Sequence, residues 1–62
     1  MDSIWILTEK NGDVVLHKAF KAGVSIEDAC DLAECEVNGG YADYARITVN
    51  GDVYMEYEAD VD

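Results

Sequence analysis

Apolar and polar positions along this chain fall into two strand-like pairs with a helical block between them. Ile4-Trp5-Ile6-Leu7-Thr8 is β-branched and aromatic, Asn11-Gly12-Asp13 signals a tight reversal, and Val14-Val15-Leu16-His17 follows. This is the grammar of a hairpin. It returns near the end, where Tyr44 to Val49 and Val53 to Tyr57 flank Asn50-Gly51-Asp52, the Asn-Gly pair supplying the positive-φ residues such turns need.

Between the hairpins, Ser25 is placed to cap a helix by accepting from a free backbone N–H, with Asp28 three residues on giving a capping-box-like start. Ile26, Ala29, Cys30, Ala33 and Val37 recur at offsets of three and four, so they share one stripe, and Asn38-Gly39-Gly40 offers the stop. The spacing predicts a helix from about Ser25 to Val37. The order is ββαββ, an α+β fold in which one helix lies across one face of a four-stranded, mostly antiparallel sheet. With Ile4, Ile6, Val14, Leu16, Phe20, Ile47, Val49, Val53 and Met55 turned to the core, Trp5, Leu7, His17, Tyr44, Arg46 and Tyr54 point outward. A one-residue slip in the first hairpin would instead bury Trp5.

Sixty-two residues, half of them hydrophobic, make a single domain spanning 1–62. The longest uncharged apolar segment, Ile4 to Leu7, is far too short to span a bilayer. Two cysteines are too few for a disulfide-stapled secreted mini-domain, which points to a reducing, cytoplasmic setting. Charge changes the picture most. Fourteen Asp and Glu face four Lys and Arg, a formal net charge of −10. Such a surface repels nucleic acid and anionic lipid and steers basic proteins toward it. No direct nucleic-acid or membrane contact is expected.

Glu27 and Asp28 suit the first turn of the helix, where the dipole is positive, but the acidic residues beyond them are placed against helix stability. The helical block carries Glu27, Asp28, Asp31, Glu34 and Glu36 and no base. Glu34 and Glu36 lie toward the negative end of the dipole, at a cost of about 0.3–1 kcal/mol each. Glu27, Asp31 and Glu34 stack on one outward stripe, where neighbours repel by about 0.2–0.5 kcal/mol per pair. In the last strand Asp52, Tyr54, Glu56, Glu58, Asp60 and Asp62 occupy even positions. An extended chain would set them on one face at a step of about 6.6–6.8 Å per two residues, comparable to the step between phosphates along one nucleic-acid strand. Solvated faces, or adaptation to high salt, are the plain alternatives.

Catalytic and metal chemistry find little footing. Cys30 and Cys35 are five apart on a helix, so they face different ways and are expected to be free thiols. With a solitary His17 they match no zinc pattern. Neither Asn-Gly-Asp turn has the ligand spacing of a calcium loop, and Gly39-Gly40 lacks the lysine of a phosphate-binding loop. No cofactor and no enzymatic activity are expected.

In length and ββαββ order the chain resembles β-grasp domains, including the immunoglobulin-binding domains of bacterial surface proteins. In size and charge it resembles the small acidic inhibitors of phages and mobile elements, anti-CRISPR proteins and other DNA mimics among them. That second resemblance implies docking in the Lys- and Arg-lined groove of a nucleic-acid-binding host-defence complex, in a bacterial cytoplasm, by a monomer or homodimer. The implied contacts are Glu27, Asp28, Asp31, Glu34, Glu56, Glu58 and Asp60, with Trp5 and Tyr44 as apolar anchors. A non-catalytic accessory or oligomerisation module, acidic for solubility, is the rival expectation.

Overall fold

The computed structural model describes residues 3–59. It contains β1 (Ile4–Lys10), β2 (Asp13–Ala19), α1 (Ile26–Asn38), β3 (Tyr44–Val49) and β4 (Asp52–Glu58), the α+β order read from the hydrophobic pattern. Both hairpins close through two-residue loops. Asn11 and Gly12 have φ of 53° and 86°, and Asn50 and Gly51 have 53° and 88°. Positive φ at both central positions gives the turn twist that lets strands continue to the loop, so three of the four strands run longer than their apolar blocks.

The sheet order is β2-β1-β3-β4 and every pairing is antiparallel. A β-grasp sheet pairs its first and last strands in parallel, so the resemblance stops at element order and helix placement. Here β1 joins the hairpins by pairing with β3, Ile6 opposite Ile47 and Thr8 opposite Ala45. Helix α1 begins where Ser25 Oγ accepts from the Asp28 N–H at 3.2 Å. It ends where the Gly39 and Gly40 N–H groups donate to Cys35 and Val37.

Ala29, Ala33 and Val37 face the sheet and meet Ile6, Ala42, Ala45 and Ile47 in the buried core. The alanines let helix and sheet approach closely, and Ile6 and Ile47, wholly buried, contribute about 1.5–3 kcal/mol each. The helix lies across β1, β3 and β4 and does not reach β2.

Two register shifts alter the expected faces. One lies at Thr8/Glu9, so Val14 stands opposite Glu9 and is 59% exposed rather than buried. The other lies at Ile47/Thr48, so Val53 stands opposite Thr48 and is 53% exposed. Each shift inserts one residue into a strand, which turns the residues beyond it to the other face. Met55 does lie opposite Ile47, on the helix side, but near the open edge it stays 42% exposed.

The first turn is tied to the segment after the helix. Asp43 Oδ2 accepts from the Asn11 N–H at 2.8 Å, and Lys10 Nζ lies 3.6 Å from Asp43 Oδ1 while donating to the Gly40 carbonyl at 2.9 Å. The Asn11 hydrogen bond, helped by the Lys10 charge, holds the Asp43 carboxyl below its ordinary 3.8, against a smaller opposing effect of desolvation. A depressed folded pKa stabilises above the unfolded value and loses that contribution as pH falls through the folded one. The deficit of Asp43→Ala relative to the parent, measured by urea unfolding, is therefore expected at neutral pH and should vanish progressively as pH drops below about 3.8.

Thr8 is 1% exposed, and its Oγ1 is buried without a hydrogen-bond partner among the described residues. Replacing the hydroxyl by a methyl group removes that desolvation cost. Thr8→Val should raise the urea midpoint at unchanged slope, a gain of about 1 kcal/mol in unfolding free energy. A lower midpoint would show that the hydroxyl is satisfied.

Candidate protein-binding surface

The acidic helix residues and the acidic strand residues lie on opposite sides of one sheet edge. Strand β4 is the last in the sheet, and α1 packs over its inner face. Glu27 and Asp31 rim a cleft of about 310 Å³ between α1 and β4, whose other lining residues are Ile26, Cys30, Tyr54, Met55 and Tyr57. Glu34 is close enough to act on Tyr57. The Tyr57 hydroxyl is pushed above its ordinary pKa by burial first, then by Cys30 beside it and by the Glu34 and Asp31 charges. The expected stripe of Glu27, Asp31 and Glu34 is thus a real row along the β4 flank of the helix. By helical periodicity Asp28 falls on the other flank.

Glu56 and Glu58 stand opposite Arg46 and Tyr44, on the sheet face that no helix covers. The Tyr44 hydroxyl donates to Glu56 Oε2 at 2.7 Å. Partial burial, followed by this bond and the Glu56 charge, raises the Tyr44 pKa, with Arg46 opposing. The predicted rail is shorter than the sequence suggests. The register shift sends Asp52 opposite Val49 and turns Tyr54 to the helix side, where it lines the cleft instead of pointing outward. Asp60 and Asp62 lie outside the described residues, so the described rail is Glu56 and Glu58.

None of these carboxylates has a base within ion-pair distance, because the one ion pair among the described residues is Lys10 to Asp43. Lys18 sits over the Phe20 ring at 5.8 Å, on the strand at the far side of the sheet. Arg46 is the one Lys or Arg that the strand register places on the open face.

Trp5, Leu7, His17, Tyr44 and Arg46 share that open face, as their register requires. The Trp5 and His17 rings lie 5.2 Å apart, and Trp5 Nε1 donates to Ser3 Oγ at 3.1 Å. Trp5, at 38% exposure, is on the surface and not in the core. Tyr44 therefore adjoins Glu56 and Glu58 on the open face, Trp5 lies on that face two strands away beside His17, and the helix carboxylates flank the other side of the edge.

Sequence reasoning missed the cleft. A second one, of about 400 Å³, continues it past Ile26 and Tyr54 to Ile4, Gly23, Val24, Ser25 and Val49. Both depend on Tyr54 facing the helix. Cys30 and Cys35 are free thiols, and among the described residues no group of three or more His, Cys, Asp or Glu could hold a metal ion. Among those residues no helix is long and apolar enough to cross a membrane. No protein-family model, curated protein or solved structure matches the chain.

The like charges of Glu27, Asp31 and Glu34 stack without relief. Replacing Asp31 and Glu34 by their amides, with Glu27 kept in the first turn where the helix dipole favours it, should raise the thermal midpoint of the isolated protein, with about 0.2–0.5 kcal/mol gained per relieved pair. A fall in midpoint would mean that these carboxylates have stabilising partners.

Proposed function

We propose that the protein is a non-catalytic, acidic inhibitor that binds a cationic, nucleic-acid-handling protein by occupying its Lys- and Arg-lined groove. This is the mode of the anti-CRISPR-like DNA mimics it resembles in size and charge. The observation that carries the reading is the set of five carboxylates flanking β4, Glu27, Asp31, Glu34, Glu56 and Glu58, none of them ion-paired to a base among the described residues. Their mutual repulsion is relieved when a cationic surface closes over them, so part of the cost stored in the free protein returns as binding energy. Complementary charge also speeds encounter. Phosphate mimicry here is a matter of charge density around an edge and not of an evenly spaced rail, since the register shift interrupts the rail.

The open sheet face favours a second reading, an accessory or oligomerisation module. Trp5, Leu7 and Tyr44 lie on it with Arg46, and Trp, Tyr and Arg are the types enriched at interface hot spots. On that reading the acidity serves solubility.

Affinity capture from a nuclease-treated bacterial lysate separates the two. Screening shortens from about 10 Å at 0.1 M salt to about 3 Å at 1 M, so a basic nucleic-acid-binding partner should be recovered at the lower salt and lost at the higher. The Glu27→Gln, Asp31→Asn, Glu34→Gln variant should recover much less of it while remaining folded. Capture indifferent to both changes would sink the electrostatic reading, and a constitutive, salt-insensitive oligomer by native mass would favour the module.

A further inference from the structure

We propose that the free edge of β4 is a strand-addition site, which takes an extended segment of the cationic partner in the pattern basic–apolar–basic. The proposal rests on the reading of this protein as a binder of a cationic protein and specifies how the two chains pair.

Main-chain geometry selects the edge residues. The Asn50 N–H donates to the Ser3 carbonyl at 2.8 Å, and in an antiparallel ladder every second residue turns its main chain to the same neighbour. Along β3, Thr48, Arg46 and Tyr44 therefore face β1, and Ala45 and Ile47 face β4. The Ala59 N–H donates to the Asp43 carbonyl at 2.8 Å, which has the same parity and turns Tyr57 with Ala59 toward β3. Glu56 and Glu58 are left with their own N–H and C=O groups directed off the sheet. The two residues that offer main-chain pairing are thus the two that carry the carboxylates of the open face.

A strand laid beside β4 would place two alternate side chains next to Glu56 and Glu58, at a Cβ separation of about 4.5–5.5 Å. Lysine or arginine satisfies both. The residue between them falls on the other face, opposite Tyr57, at the mouth of the cleft lined by Cys30, Met55 and Tyr57, where an apolar side chain fits. Glu27 and Asp31 on the rim of that cleft extend the attraction to flanking bases.

The opposite edge of the sheet lacks these features. The helix does not reach β2, so no wall stands over its inner face, and Lys18 lies on that face opposite Ile6. A second copy is a poor occupant of the β4 edge. Antiparallel pairing of β4 with itself sets Glu56 and Glu58 against the same carboxylates, in chains that each carry a charge of −10. Charged side chains at an edge commonly guard it against self-pairing. Here the same guard admits a strand of opposite sign.

The test titrates the full chain with two synthetic peptides of one composition, Lys-Val-Lys-Val-Lys and its block isomer Lys-Lys-Lys-Val-Val. Hydrogen exchange at the Glu56 and Glu58 amides is followed in parallel. The alternating peptide should bind about tenfold more tightly and slow exchange at both amides, and N-methylation of its lysines should abolish that preference. Equal binding of the two isomers with unprotected amides would overturn the proposal in favour of charge attraction alone. Protection that grows with protein concentration without peptide would overturn it in favour of a second copy. If neither peptide binds but the basic partner is captured from lysate, strand addition fails and the inhibitor reading stands. The alternating peptide binding with protection, while no basic partner is captured, supports the edge site and sinks the inhibitor reading alone.

Discussion

One thirteen-residue helix has to serve a sheet of four strands, and it covers one face of three of them. Its buried stripe is mostly alanine, so it sits low over β1 and β3 and closes around Ile6 and Ile47. Everything else about the surface follows from this shortage of cover. Among the described residues the outer sheet face has no second layer, β2 has no roof, and β4 lies under the flank of the helix where the packing opens into a cleft. A chain this short buries a limited share of its surface, and the remaining apolar groups, Trp5, Tyr54 and Met55 among them, are left where a partner can reach them.

The charges divide along the same geometry. Lys10 is engaged with Asp43 and Gly40 at the first turn, Lys18 lies over Phe20, and Arg46 is the one base that the strand register places on the open face, opposite Glu56. Glu27, Asp31 and Glu34 of α1 and Glu56 and Glu58 of β4 border the edge farthest from β2. A carboxylate row on a helix without interleaved lysines stores repulsion, and in a domain of marginal size that cost matters. Binding a cationic surface is a way to recover it.

Much of this was legible in the residues. Asn11-Gly12 and Asn50-Gly51 specify hairpin turns by backbone chemistry, Ser25 marks the helix start, and the 26-29-30-33-37 spacing marks its buried stripe. Those signals are local, and the structure keeps them. The two register shifts were not legible, because Val14-Val15 and Val53-Tyr54 show no glycine or composition break to announce an inserted residue. Their effect is to reverse the faces of Val14, Val53 and Tyr54, to shorten the acidic rail and to open the cleft. Thr8, Ala42 and Ala45 were also absent from the expected core. Small and polar residues give a weak hydrophobic signal even where burial is complete.

The two-residue turns also carry a kinetic consequence. Each hairpin pairs neighbours in sequence, and such units form on a scale of about 1–10 μs. The slower event is the joining of β1 to β3, which brings Ile4 beside Val49 and must close the long loop containing the helix. The helix stripe has no complete surface to dock on until Ile6 and Ile47 meet, so its docking is coupled to that closure. With no proline in the chain, no prolyl isomerisation stands in the way, and the long-range pairing of β1 with β3 is the contact of greatest entropic cost in reaching the native state.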